Sequence, residues 1–163
     1  MTPATEALAA AGIVFDTIEY VHDPTDENFG DEAAEATGTD PGRIFKTLVV
    51  QTSDDEMVVA LVPVNASLNL KALARAAGAK RAGLAEAADA ERRTGYMVGG
   101  ISPFGQRQRH RTFVDHSANE FDSIFVSGGR RGLEIVLHPD AFGEVLDANF
   151  VDLAATPPHG TRQ

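Results

Sequence analysis

A single lysine, Lys46, enters the apolar run Ile44-Phe45-Lys46-Thr47-Leu48-Val49-Val50, in a half-chain nearly devoid of positive charge. Across residues 1–63 the basic residues are Arg43 and Lys46, against thirteen acidic ones; the remaining hundred residues hold twelve basic and eleven acidic. On a strand, Ile44, Lys46, Leu48 and Val50 share one face. An ammonium among aliphatic neighbours is desolvated unless something negative meets it. Such a lysine can hold a phosphate or a developing oxyanion as a point charge. The plainer alternative is a lysine at a strand mouth that snorkels to water.

Two glycine-rich segments offer backbone to a ligand. Gly95-Tyr96-Met97-Val98-Gly99-Gly100-Ile101-Ser102-Pro103-Phe104-Gly105 contains a Gly-Gly pair, which lets main chain approach closely with free N–H and C=O groups. As a bare pattern it is neither GxGxxG nor a P-loop, and a tight connection between strands explains it as well. Val126-Ser127-Gly128-Gly129-Arg130-Arg131-Gly132-Leu133-Glu134-Ile135 reads either as a glycine hairpin with exposed arginines or as a second ligand loop. In the second reading Ser127 supplies a hydroxyl and Glu134 a carboxylate.

Other chemistries lack their patterns. The five histidines show no HExxH or related ligand spacing, no GxSxG occurs, and there is no cysteine for a disulfide, a thiolate–metal site or a nucleophile. A net charge of −10 opposes broad, nonspecific nucleic-acid binding, and DNA is not expected as a partner. Basic residues do cluster, at Lys71, Arg75, Lys80 and Arg81, at Arg92 and Arg93, at Arg107, Arg109, His110 and Arg111, and at Arg130 and Arg131. Each cluster taken alone reads first as a solvated face. No apolar window is long enough to span a membrane, and Met1–Glu6 lacks the basic region of a signal peptide. A soluble, cytoplasmic chain is expected, with a single domain over 1–155 and a frayed Pro-rich tail over 156–163.

These groups need elements to position them. Thr2-Pro3 starts a helix over Ala4–Ala11, Gly12 stops it, and Ile13–Tyr20 reads as a strand. Phe29–Thr37 is a short helix, and Asp40-Pro41-Gly42 a turn or one-turn helix. Ile44–Gln51 and Met57–Val62 form a hairpin. Leu70–Ala77 and Ala85–Arg93 are helices. Tyr96–Val98 and Thr112–Asp115 look like strands. Ser123–Val126 and Leu133–His138 form a second hairpin, and Pro139–Ala148 is a helix. This order is not βαβαβ. It predicts a mixed α/β (α+β) domain around a curved, barrel-like, mostly antiparallel sheet with short peripheral helices.

Several blocks together resemble the YbaK/EbsC family of aminoacyl-tRNA deacylases, relatives of the editing domain inserted in some prolyl-tRNA synthetases. They are Met1–Ala4, Tyr20–Pro24, Asn28–Glu32, Phe45–Leu48, Leu70-Lys71 with Gly78–Lys80, Thr94–Tyr96, Val98–Pro103 with Gly105-Gln106, and Val126–Leu133. The strongest is Gly99-Gly100-Ile101-Ser102-Pro103. The resemblance implies a mischarged aminoacyl-tRNA substrate, chiefly cysteinyl-tRNA(Pro), cleaved without metal or other cofactor when the cysteinyl thiol attacks its own ester carbonyl. It implies Lys46, Tyr20 and Glu134 as catalytic residues. It implies Phe29, Thr47, Gly99, Gly100, Ile101, Ser102, Ser127 and Gly128 as substrate-binding residues. The family usually carries aspartate where this chain has Glu134.

Thiol assistance makes physical sense of cysteine selectivity. One methylene in a pocket is worth only about 1–3 kcal/mol, whereas alanine has no group to attack with. A cysteine thiol, of ordinary pKa about 8.5, is partly ionised near neutral pH. Orienting the ester against the thiol can contribute up to about 7–11 kcal/mol. Two other readings remain: a deacylase for another small residue such as alanine that uses water, and a non-catalytic module that binds tRNA or a synthetase. The acidic total charge suggests that prolyl-tRNA synthetase presents the charged tRNA. Lys46→Ala is expected to remove most deacylation while the fold survives; a wild-type rate from a correctly folded variant contradicts the assignment.

Overall fold

The computed structural model describes residues 1–22 and 29–155, with side chains in the helix 29–37 described from residue 32 onward. The expected tail over 156–163 and the Asp23-Pro24 stop lie outside the described residues. In chain order the elements are α1 (Pro3–Ala10), β1 (Asp16–Glu19), α2 (Phe29–Thr37), β2 (Phe45–Thr52), β3 (Met57–Pro63), β4 (Ser67–Leu68), α3 (Leu70–Ala77), β5 (Ala82–Leu84), α4 (Ala87–Thr94), β6 (Thr112–Asp115), β7 (Ile124–Ser127), β8 (Leu133–Leu137), α5 (Asp140–Leu146), β9 (Asn149–Val151) and β10 (Ala154–Ala155).

Local chemistry sets most of these boundaries. Thr2 caps α1, its hydroxyl accepting from the Thr5 amide at 3.2 Å, with Pro3 in the first turn. The Ile13 amide then bonds back to the Leu8 carbonyl at 3.0 Å, so β1 begins later than the apolar run suggests. Asn69 caps α3 by accepting from the Ala72 amide at 3.0 Å.

Five strands make the main sheet, in the order β5-β2-β3-β6-β9. The β2–β3 hairpin is antiparallel with Lys46 opposite Val62, while β3–β6 and β6–β9 pair in parallel. A second sheet, β1-β8-β7, is antiparallel throughout, and β4 pairs with β10. The mixed α/β architecture with mostly antiparallel pairing agrees with expectation. The barrel does not: the two larger sheets meet at an isolated bridge between Ile44 and Phe125 and do not close.

Alternation along β2 and β3 divides the core. Phe45, Val49, Met57, Val59 and Leu61 point into the main core, which is shared with β7, β8, α1 and α5. Val50, Val58, Ala60 and Val62 point the other way, beneath Leu73 of α3. A third cluster, Ala33, Ala34, Ile44 and Phe125, lies where α2 meets the bridge between the sheets.

One local expectation fails. Tyr96–Val98 is not a strand. The left-handed turn at Gly95 redirects the chain, the buried Tyr96 hydroxyl donates to the Phe104 carbonyl at 2.5 Å, and the Gly100 amide closes a turn onto the Met97 carbonyl at 2.9 Å. Residues 149–155, to which the sequence assigned no element, supply β9 and β10. Their amides at Leu153 and Ala154 both donate to the buried Asp115 carboxylate at 2.8 Å, a tertiary anchor with no local pattern. Burial raises the Asp115 carboxyl, but hydrogen bonding from Ser117 and from those two amides outweighs it and holds the group below its usual range.

Backbone contact joins the two glycine segments. A Cβ on Gly100 would meet the Arg130 Cα at 2.7 Å and the Arg131 nitrogen at 2.8 Å; one on Gly105 would meet the Pro3 carbonyl at 2.5 Å. The Thr2 hydroxyl donates to the Gly128 carbonyl at 2.6 Å, completing the junction. Gly100→Ala is therefore expected to lower stability by about 1–3 kcal/mol, read as a reduced midpoint in urea. Gly83→Ala, where a Cβ meets nothing within 4 Å, serves as the tolerant control. Equal midpoints for the two variants would show that the close approach is not a constraint.

Candidate active site

The bridge between the sheets leaves a cavity of about 330 Å³, lined by Tyr20, Ala33, Ile44, Phe45, Lys46, Thr47, Leu48, Val64, Val98, Gly99, Ile101, Ser127 and Glu134. Each wall has a local cause. Lys46, Thr47 and Leu48 enter from the start of β2, just after the bridging Ile44. Gly99 comes from the turn closed by Gly100 and Met97, which is held from below by the Val98 amide donating to the Glu91 carboxylate at 2.9 Å. Ser127 and Glu134 stand opposite one another in the β7–β8 register, and Tyr20 follows β1, which pairs with β8 on its other edge.

Of the residues expected at a site, Lys46, Tyr20, Glu134, Thr47, Gly99, Ile101 and Ser127 are brought together around this cavity. Three others are not in its lining. Gly100 packs against the Arg130 backbone, and Gly128 sits against Leu133, whose Cγ a Cβ would meet at 2.6 Å. Ser102 is fully buried, its hydroxyl accepting from the Phe104 amide at 3.3 Å and its carbonyl accepting from the Gln106 amide group at 2.9 Å. These three shape the walls rather than face the space. The Phe29 side chain lies outside the described residues.

Electrostatically the floor is unusual. Glu134 is buried on the central strand of the smaller sheet, and burial pushes its carboxyl up to about 8. At neutral pH it is mostly a protonated acid, able to donate a hydrogen bond. Burial also raises the Tyr20 hydroxyl, with the charges of Glu134 and Glu32 adding to it. The Thr47 hydroxyl is buried, with no hydrogen-bond partner among the described residues. Arg43, the other cation of the first 63 residues, binds the Ser123 carbonyl and hydroxyl at 3.1 and 2.6 Å and lies over the Phe125 ring. Among the described lining residues Lys46 is thus the one cation.

Sequence patterns did not reveal the support behind these walls. Glu32 of α2 is buried. It accepts from His22 at 3.1 Å, just after Tyr20, and from Arg131 at 3.1 Å, in the second glycine segment. Arg131 is accordingly largely covered, not exposed as a glycine hairpin suggests, while Arg130 pairs with Glu19 at the surface. The apolar lining residues Ala33, Ile44 and Val64 carried no signal beyond hydropathy, whereas Leu48 and Val98 fall within blocks that carry the resemblance.

Chemically, the lining provides one ammonium, three hydroxyls, free glycine backbone and a neutral acid. Among the described lining residues there is no histidine, and the Ser127 Oγ accepts from the Gly129 amide at 3.2 Å and donates no hydrogen bond to Glu134, the carboxyl group opposite it. An activated side-chain nucleophile is therefore not built here. The arrangement can anchor an anion, polarise a carbonyl and orient a small group.

Comparison with known proteins places the chain. A family model described as the aminoacyl-tRNA editing domain matches residues 27–144. A protein of Enterococcus faecalis, provisionally named Cys-tRNA(Pro)/Cys-tRNA(Cys) deacylase EbsC, is 38% identical over 76% of this chain and 75% of that protein. A proline–tRNA ligase of Brachyspira hyodysenteriae is 26% identical over 77% of this chain, covering 22% of the ligase. A crystal structure described provisionally as a trans-editing enzyme for prolyl tRNA synthetase shares the fold, with a TM-score of 0.82 and 23% identity over 94% of this chain and 95% of that one.

The Glu134 proton carries a stability signature. Its folded pKa of about 8 lies above the ordinary 4.5, so from pH 4.5 to 8 the unfolded chain is ionised while the folded one keeps the proton. This contribution to stability is complete below 4.5 and declines toward 8, by up to about 1.4 kcal/mol per pH unit. Glu134→Gln is expected to flatten that decline in urea midpoints measured from pH 5 to 8; an unchanged slope would mean that Glu134 is ionised in the native protein.

Proposed function

Because this chain belongs to the aminoacyl-tRNA editing domain family, we propose that it deacylates mischarged tRNA, chiefly Cys-tRNA(Pro). One observation carries the reading: a cavity that, among the described residues, pairs a single ammonium with glycine backbone and a neutral acid, yet holds no side-chain nucleophile hydrogen-bonded to a base. A site of this composition suits a substrate that brings its own attacking group. The cysteinyl sulfur attacks its own ester carbonyl carbon, the carbon–oxygen bond to the terminal ribose breaks, and the cyclic thiolactone and free tRNA depart. The thiol proton balances the hydroxyl regained by the ribose. Lys46 anchors the terminal phosphate or faces the developing oxyanion. Glu134 and Tyr20 donate hydrogen bonds from the floor, and Thr47, Gly99, Ile101 and Ser127 shape and contact the aminoacyl end.

The cavity volume supports selection by chemistry over selection by shape. About 330 Å³ falls within the range of pockets that hold drug-sized ligands, about 300–1,000 Å³. Alanyl, seryl and cysteinyl groups are all far smaller, so exclusion by fit gives little discrimination. We further propose that residues 1–155 act as one editing domain in the cytoplasm and receive charged tRNA from prolyl-tRNA synthetase. The likeness to part of a proline–tRNA ligase and the net charge of −10 support this.

The test is a panel of cysteinyl-, alanyl-, seryl- and prolyl-tRNA(Pro), plus cysteinyl-tRNA(Pro) methylated on sulfur, followed by ester loss. The cysteinyl ester is expected to disappear at least about 10²-fold faster than the others, in keeping with the gain from orienting a reacting group. Rapid loss of the S-methylated or alanyl ester would replace thiol assistance with hydrolysis by bound water.

A further inference from the structure

Resting on that reading, we infer that the groove between α3 and β5 binds the sugar-phosphate backbone of the same RNA whose acylated end enters the cavity. The groove, of about 540 Å³, is lined by Lys71, Arg75, Lys80 and Arg81, its other lining residues being small or apolar. All four cations are exposed, and none forms an ion pair with a described residue. Lys71 and Arg75 stand four apart on α3, a spacing that sets like charges side by side and mildly destabilises a helix. In a chain of net charge −10, this concentration of unneutralised positive charge calls for an anion from outside.

Its place in the fold names the anion. Lys46, Leu48 and Val50 share one face of β2; α3 packs Leu73 onto that face, and β5 pairs with Val50–Thr52. The cavity already reaches along this face to Leu48. From Lys46 to Thr52 is six strand residues, about 20 Å. A tRNA with its 3′ end at Lys46 can therefore lay the phosphates of its acceptor end, several nucleotides back, over the groove. Lysine and arginine contacts of this kind position a nucleic acid without reading its sequence. The basic groove at Arg93, Arg109 and Arg111 is a poorer match: Asp55, Glu56 and Asp147 also line it, and Glu56 already binds Arg111 at 2.7 and 2.8 Å.

The experiment compares wild type with Lys71→Gln/Arg75→Gln/Lys80→Gln/Arg81→Gln on two substrates, full-length cysteinyl-tRNA(Pro) and a cysteinylated oligonucleotide of its last few 3′ nucleotides. For the full tRNA, KM is expected to rise about tenfold or more and the slope of log KM against log salt to flatten by about 2–4, near one per lost phosphate contact. The short substrate should react alike with both proteins, which also reports a native fold. Unchanged KM and salt slope on the full tRNA would overturn the inference, as would an equal loss on both substrates. A KM change confined to assays containing prolyl-tRNA synthetase would overturn it too, assigning the groove to an acidic protein face. Wild-type failure on both substrates removes the deacylase reading itself.

Discussion

The main chain at Gly100 lies against the main chain at Arg130 with no room for a side chain between them. Much of the molecule depends on that contact. It fixes the Met97–Gly100 turn over the end of the β7–β8 hairpin, so that Gly99 and Ser127 face a common space. The same junction takes in the amino terminus, through Pro3 against Gly105 and the Thr2 hydroxyl on the Gly128 carbonyl. Segments more than a hundred residues apart in sequence thus meet within one small volume. Backbone packed this closely has few ways to relax, since protein interiors are near crystal density.

Inside those walls, charge is used sparingly. Burial keeps Glu134 largely neutral where a carboxylate pattern suggests an anion, and Arg43 is absorbed by Ser123 and Phe125. No described acidic residue of the first 63 lines the cavity, whose described lining offers one ammonium and several neutral donors. In a desolvated site, a single well-placed cation acts with less screening than in water.

The buried Glu32, held by both His22 and Arg131, links three walls of the cavity that come from different parts of the chain. Breaking a buried pair by removing one partner costs more than the pair contributes, because a charge is left stranded. This gives α2 a fixed seat beside Tyr20 and the second glycine segment. Catalysis by orientation requires that kind of rigidity, since reacting atoms must be held near contact distance before anything else helps.

Much of this was legible in the residues. Thr2-Pro3 announces α1, the spacing of Leu70–Ala77 announces α3, the two apolar runs of β2 and β3 announce a hairpin, and Lys46 stands out as a cation isolated among aliphatics. Gly99 and Gly100 look equivalent in sequence, yet one faces the cavity and the other seals a backbone contact. Ser102 looks available and is wholly enclosed. Sequence determines periodicity, caps and the rarity of a charge, because those depend on neighbours along the chain. The protonation of Glu134, the covering of Arg131, the parallel strands β6 and β9 and the open join between the sheets were decided by the tertiary structure alone, because each depends on which distant atoms exclude water from which groups.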